Sequence, residues 1–236
     1  MDRPKKHRTG RLRAILAGVI AVCCFAGLSV PAMALTFTDV PVGHWAYNAV
    51  DWVSNNGYMN GTGGGLFSPG TDMTRAEIVT ILYAIAGKPG SGGGTQYSDV
   101  SGSAYYAAPA LWAKNKGLGI QNSSTVFAPS TYLERVKIAE ALWKFAQVIN
   151  WTTSAVPNIT LPYTDISGLT TAQVNALKWC RHYSIMNGTS DTTFGPTVLV
   201  YRAQMAVMVK ALADRASGFY PVNSVSVRKG MCALCK

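Results

Sequence analysis

Phe67-Ser-Pro69-Gly-Thr-Asp-Met-Thr74-Arg75-Ala76-Glu77-Ile78-Val79-Thr-Ile-Leu82 is the stretch that the rest of the chain repeats. Thr74 and Glu77 stand three residues apart, the spacing at which a hydroxyl and a carboxylate each take an orphan amide at a helix start. Ile78, Val79, Leu82, Ile85 and Ala86 then recur at helical spacing, so a helix from Thr74 to Ala86 with one apolar face is expected. Arg75 falls in its first turn, where free backbone N–H groups and the dipole already favour an anion. A cation in that position implies a negative group that comes to meet it.

The block returns at Phe127-x-Pro129 leading to Glu134-Arg135-Val136-Lys137, and again at Phe194-x-Pro196 leading to Tyr201-Arg202-Ala203-Gln204, so helices from about Glu134 to Ile149 and from about Arg202 to Ala213 are expected. A second marker keeps step with it: Phe37-x-Asp39-Val40, Tyr97-x-Asp99-Val100 and Tyr163-x-Asp165-Ile166. Two markers moving together establish a triplication. Between them each repeat places a helical pattern, with Trp45, Ala49, Trp52 and Val53 in the first, Tyr105, Tyr106 and Trp112 in the second and Leu177 and Trp179 in the third, then a stop and turn containing Gly57 and Gly61, Gly117, or Gly188. The organisation read from this is repeats at 35–88, 97–149 and 163–215, linkers at 89–96 and 150–162, and a tail at 216–236. The fold class is mainly α: three helix-loop-helix units. A two-helix unit of fifty or so residues cannot bury its own apolar faces, so the three pack together, as a solenoid or closed on themselves.

Residues 1–34 differ from the rest. Six basic residues from Arg3 to Arg13 precede an apolar run from Ala14 to Leu28, and Ala32-Met33-Ala34 offers a small-x-small cleavage site, the pattern of a secretory signal peptide. Left uncleaved, it would be the one membrane attachment. Taking its six basic residues and one acid from 21 Lys/Arg and 11 Asp/Glu leaves 15 against 10. A net charge of +5 with no dense basic run argues against nucleic acid and suits an acidic polymer outside the cell. Cys180 sits alone at a helical position and reads as a small core hydrophobe, while Cys232 and Cys235 form one CxxC at the C-terminus with no second pair. No nucleophile–base arrangement, metal-spaced cluster or phosphate loop emerges, so an enzyme is not expected, nor a cofactor.

Phe37-x-Asp39-Val40-x-x-x-His44-Trp45-Ala46, Gly57, Asn60-Gly61, Phe67-x-Pro69 and Thr74-Arg75-Ala76-Glu77 resemble the S-layer homology repeat of bacterial surface proteins. The last repeat is similar through Asp165, Gly188, Phe194-x-Pro196 and Arg202-Ala203-Gln204. The middle one departs furthest, with Ala104-Tyr105-Tyr106 for His-Trp-Ala, Gln121 for the turn glycine and Glu134-Arg135-Val136-Lys137 for the capped motif. The resemblance implies a compact pseudo-trimer with grooves between neighbouring repeats. It also implies attachment at the cell wall to a secondary polysaccharide, commonly one bearing pyruvate ketals, with the motif Arg helping to bind the acidic sugar.

The candidate binding residues follow from both readings. Arg75, Arg135 and Arg202 could fork a carboxylate, or form internal salt bridges to Asp39, Asp99 and Asp165. Gln204 keeps the capping ability of Glu77 without its charge. Trp52, Trp112 and Trp179 are core residues or platforms for a sugar ring. Gly61 and Gly188 are backbone devices that also let a ligand come close. The three aspartates are expected to cap the turn or the first helix of their repeat. The partner expected is an anionic wall polysaccharide, and the alternative is another secreted surface protein.

Overall fold

The computed structural model describes residues 37–149, 151 and 156–219. The leader and most of the tail, on which the sequence bears only as pattern, lie outside these residues. Among the described residues six helices are present: α1 Tyr47–Asn55, α2 Arg75–Ile85, α3 Ala107–Asn115, α4 Arg135–Val148, α5 Thr171–His182 and α6 Arg202–Phe219. The described chain is mainly α, with short isolated β-bridges between loops. Among the described residues no helix is long and apolar enough to cross a membrane.

Local chemistry explains the helix starts. Thr74 accepts from the Glu77 amide while Glu77 Oε2 takes the Thr74 amide at 2.9 Å, the capping box that the spacing implies. Thr170 and Gln173 build the same device at α5. Glu134, at the corresponding place before α4, caps nothing with its side chain. The starts of α1 and α3 fall later than the apolar pattern suggests: Trp45 and Tyr105 stand ahead of the helices, 60% and 66% exposed. The helix α6 runs past Ala213 to Phe219, longer than its two counterparts.

Each second helix packs against the first helix of the next repeat. The helix α2 lies on α3, α4 on α5, and α6 returns to α1. A circuit in which the last element meets the first is not an open solenoid. The loops ahead of the second helices close the same circuit: Arg75 N–H donates to Thr131 O, Arg135 N–H to Val198 O, and Arg202 N–H to Thr71 O, at 2.8 to 2.9 Å. Inside this ring Phe67, Phe127 and Phe194 are essentially fully buried, as are Leu82, Leu142 and Val209 of the second helices. Burying one large apolar side chain contributes about 1.5–3 kcal/mol, so the shared core is what holds the repeats together.

Candidate functional site: the junctions between repeats

Each motif Arg reaches across a junction into the loop of the next repeat. Arg202 sends Nε to Phe67 O at 2.8 Å and Nη2 to Asn60 O at 2.6 Å. Arg135 repeats this with Phe194 O at 3.0 Å and Asn187 O at 2.5 Å. Both guanidinium groups lie over the phenyl ring of the loop they grip, 4.7 Å from Phe67 and 4.9 Å from Phe194. Arg75 differs: its Nη1 donates to both Phe127 O and Ala128 O, and its Nε is buried with no partner. All three side chains are buried, Arg75 at 5%, Arg135 at 4% and Arg202 at 7% exposure. Burial lowers the pKa of each, opposed by Asp99 and Tyr97 at Arg75 and by Glu77 and Asp39 at Arg202. An arginine nevertheless stays cationic at neutral pH.

The aspartates do not pair with these arginines, and they cap neither the turn nor the first helix. Asp39 accepts from the amides of Phe67 and Ser68, Asp99 from Phe127 and Ala128, and Asp165 from Phe194 and Gly195, all at 2.7 to 2.9 Å. Each carboxylate thus pins the loop that its neighbour's Arg grips from the carbonyl side. The pinned loop carries a left-handed residue, Ser68, Ala128 or Gly195, a conformation that needs such support outside glycine. Slight burial raises the carboxyl pKa, but the two loop amides together with the aspartate's own amide outweigh it, so Asp99 and Asp165 are held below the usual carboxylate range. Arg75 adds to the effect at Asp99.

One cavity of about 290 Å³ opens where repeat three meets repeat one. Tyr58, Asn60, Glu77, Thr80, Tyr105 and Arg202 supply its aromatic and polar wall, and Met59 and Ile81 its apolar part. All three repeats contribute, since Tyr105 belongs to the middle one. Arg202 Nη1 stands 3.5 Å from Glu77 Oε1, so the cation that grips the loop also faces the cavity.

The other sequence candidates separate. Trp112 and Trp179 are each 1% exposed and offer no face to a ligand, which corrects their reading as sugar platforms: Tyr83 and Trp151, edge-on at 5.5 and 5.4 Å, cover them. Trp52 is only partly buried. A Cβ on Gly61 would lie 2.6 Å from Leu66 O and from the Phe37 ring, and one on Gly188 2.6 Å from the Tyr163 ring. Their glycine character therefore serves internal packing rather than a ligand's approach. Gln204 Oε1 accepts the Tyr201 amide at 3.4 Å, a weak cap. Cys180 is buried in the core, as its pattern implies. The sequence reading missed Tyr58, Thr80 and Tyr105. Of these only Tyr105 left a signal, an aromatic 60 residues after Trp45. Among the described residues no three His, Cys, Asp or Glu side chains gather as a metal site would require.

The family model of the S-layer homology domain matches residues 36–79 and 162–206, the first and last repeats. The chain is 29% identical over 138 residues to the S-layer protein sap of Bacillus anthracis, covering 57% of this chain and 17% of the relative. It is 28% identical over 138 residues to an S-layer protein of Bacillus thuringiensis subsp. finitimus, with the same coverage. A third relative, the outer membrane protein SlpA of Thermus thermophilus, is 33% identical over 75 residues, 32% of this chain and 8% of the relative. The chain thus spans less than a fifth of the length of these curated relatives. With two family matches, and with relatives that are S-layer proteins, the chain carries the S-layer homology domain in its first and last repeats.

Proposed function

We propose that the chain is a secreted, non-catalytic anchoring module at the bacterial cell surface, holding an anionic and pyruvylated secondary wall polysaccharide in a groove between repeats. The observation that carries this reading is the cavity of about 290 Å³ with Arg202 in its wall. That volume is at the small end for a ligand site and suits one sugar residue. Arg202 Nη1 would meet an acidic substituent, Tyr58 and Tyr105 would stack on the ring, and Thr80 and Glu77 would exchange hydrogen bonds with hydroxyls. Arg75 and Arg135 act mainly by gripping loops. The motif Arg is in this reading first a structural clamp, and at one junction a ligand contact as well. The S-layer relatives support a surface setting for this chain.

Co-sedimentation with purified walls tests the proposal. Retention is expected on intact walls, with weakening as salt rises, and loss after hydrofluoric acid strips the polysaccharide. Tyr105→Ala, at a 66% exposed position, should reduce retention without moving the thermal midpoint. Equal retention on stripped peptidoglycan would overturn the glycan reading. The second reading, docking of a secreted surface protein, rests on Val42 and Trp45, which at 78% and 60% exposure provide an apolar face.

A further inference from the structure

The three seams between helices differ in what stands against the tryptophan of the first helix. Eight residues after the motif Arg, the second helices carry Tyr83, Trp143 and Lys210. At the α2–α3 seam Tyr83 stands edge-on to Trp112, with its hydroxyl fixed on Pro89 O at 2.5 Å. At the α4–α5 seam Trp151 covers Trp179. At the α6–α1 seam a lysine takes the aromatic's place. Lys210 Nζ lies 5.9 Å from the Trp52 ring and bonds Asp214 Oδ2 at 2.6 Å. Trp52 consequently keeps part of its indole open to solvent.

A second difference joins this indole to the cavity. The Tyr58 ring lies 5.5 Å from that of Trp52 at 41°, and Tyr58 also lines the Arg202 cavity. Its counterparts are Leu118 and Ile185, both buried and neither aromatic. Aromatic surface thus continues here from the cavity through Tyr58 to the Trp52 indole, and it ends beside a cation and a carboxylate.

Resting on the groove reading above, we propose that Trp52, Tyr58, Lys210 and Asp214 form a second subsite, taking the sugar residue next to the one in the cavity. The apolar C–H face of a pyranose stacks on an indole, and the paired charges at the rim supply a donor and an acceptor for its hydroxyls. The groove then reads two consecutive residues of the polymer rather than its terminus alone.

Calorimetric titration with a pyruvylated monosaccharide and a pyruvylated trisaccharide tests the subsite. Wild-type protein should bind the trisaccharide more tightly. Trp52→Ala should weaken trisaccharide binding about fivefold and leave the monosaccharide unchanged, the scale of one lost stacking contact. Lys210→Glu, at the surface, should show the same selectivity and serves as the deciding variant if Trp52→Ala lowers the thermal midpoint. Trisaccharide binding unchanged in both variants overturns the subsite, as does an equal loss for the two ligands. Wild-type protein that takes neither ligand overturns the groove reading itself, a different result from either of these.

Discussion

The junction gripped by Arg75 and the one gripped by Arg202 use the same residue at the same helix position and are not equivalent. Arg202 engages two loop carbonyls through two separate nitrogens and turns a third toward Glu77 and an open cavity. Arg75 places one nitrogen on adjacent carbonyls and leaves Nε buried and unpaired. The cause lies in the middle repeat's loop. Gly119, at φ +69°, stands where repeat one has Met59, and Ile120 is buried where Asn60 and Asn187 are exposed. That path withholds from Arg75 the carbonyl that its counterparts use. Gln121 replaces the glycine whose close packing the other two loops require, in keeping with the altered course. The lesson is that a repeated motif can preserve its structural task while the neighbouring repeat decides whether a ligand opening forms beside it.

The arginines should separate the junctions most. Arg202→Ala strands two carbonyls and opens a buried space, a loss of about 3–5 kcal/mol, whereas Arg75→Ala, whose Nε is already unpaired, should lose about 2 kcal/mol by urea denaturation. Equal losses would mean that the two clamps are energetically the same. Glycine substitutions come next. Gly61→Ala and Gly188→Ala drive a methyl into carbonyl and ring and should cost about 1–3 kcal/mol, while Gln121→Ala should stay within about 0.5 kcal/mol. The caps offer a smaller contrast. Thr74→Ala should cost about 1 kcal/mol, and Glu134→Thr with Lys137→Glu should return a similar amount to α4, both read as shifts in thermal midpoint.

The smallest effect concerns pH. The carboxyl groups of Asp99 and Asp165 titrate lower in the folded chain than in the unfolded one. Their contribution to stability is therefore complete above the unfolded value, about 3.9, and is lost as pH falls through the lowered folded value. Asp99→Asn and Asp165→Asn should each flatten the decline of the unfolding midpoint below about pH 4. The flattening should be greater for Asp99, which alone of the two is also held down by its Arg. A decline as steep as that of the wild type in both would remove the amide clamps as its source.

Much of the architecture was legible in local pattern. The markers at Asp39, Asp99 and Asp165 and at Arg75, Arg135 and Arg202 marked out three units, and helical spacing located the second helices to within a residue or two at their starts. Thr74 and Glu77 revealed their cap because both partners lie within one turn. The site was less legible. Trp52, Trp112 and Trp179 are indistinguishable in one dimension, and what separates them is Tyr83, Trp151 or Lys210, supplied by a neighbouring segment. The aspartates were placed near their own turns, yet their partners lie 28 to 30 residues away.

By itself the amino-acid sequence determined the number of units, their helical character, the positions of the arginines and the caps, and the likeness to S-layer homology repeats, because each of these is written within a few residues of chain. The tertiary structure alone decided that α6 closes onto α1, that the arginines grip loop carbonyls rather than Asp39, Asp99 and Asp165, and that the 290 Å³ opening lies where repeat three meets repeat one. These depend on which distant surfaces meet, and a buried guanidinium takes whichever acceptors the packed neighbour presents.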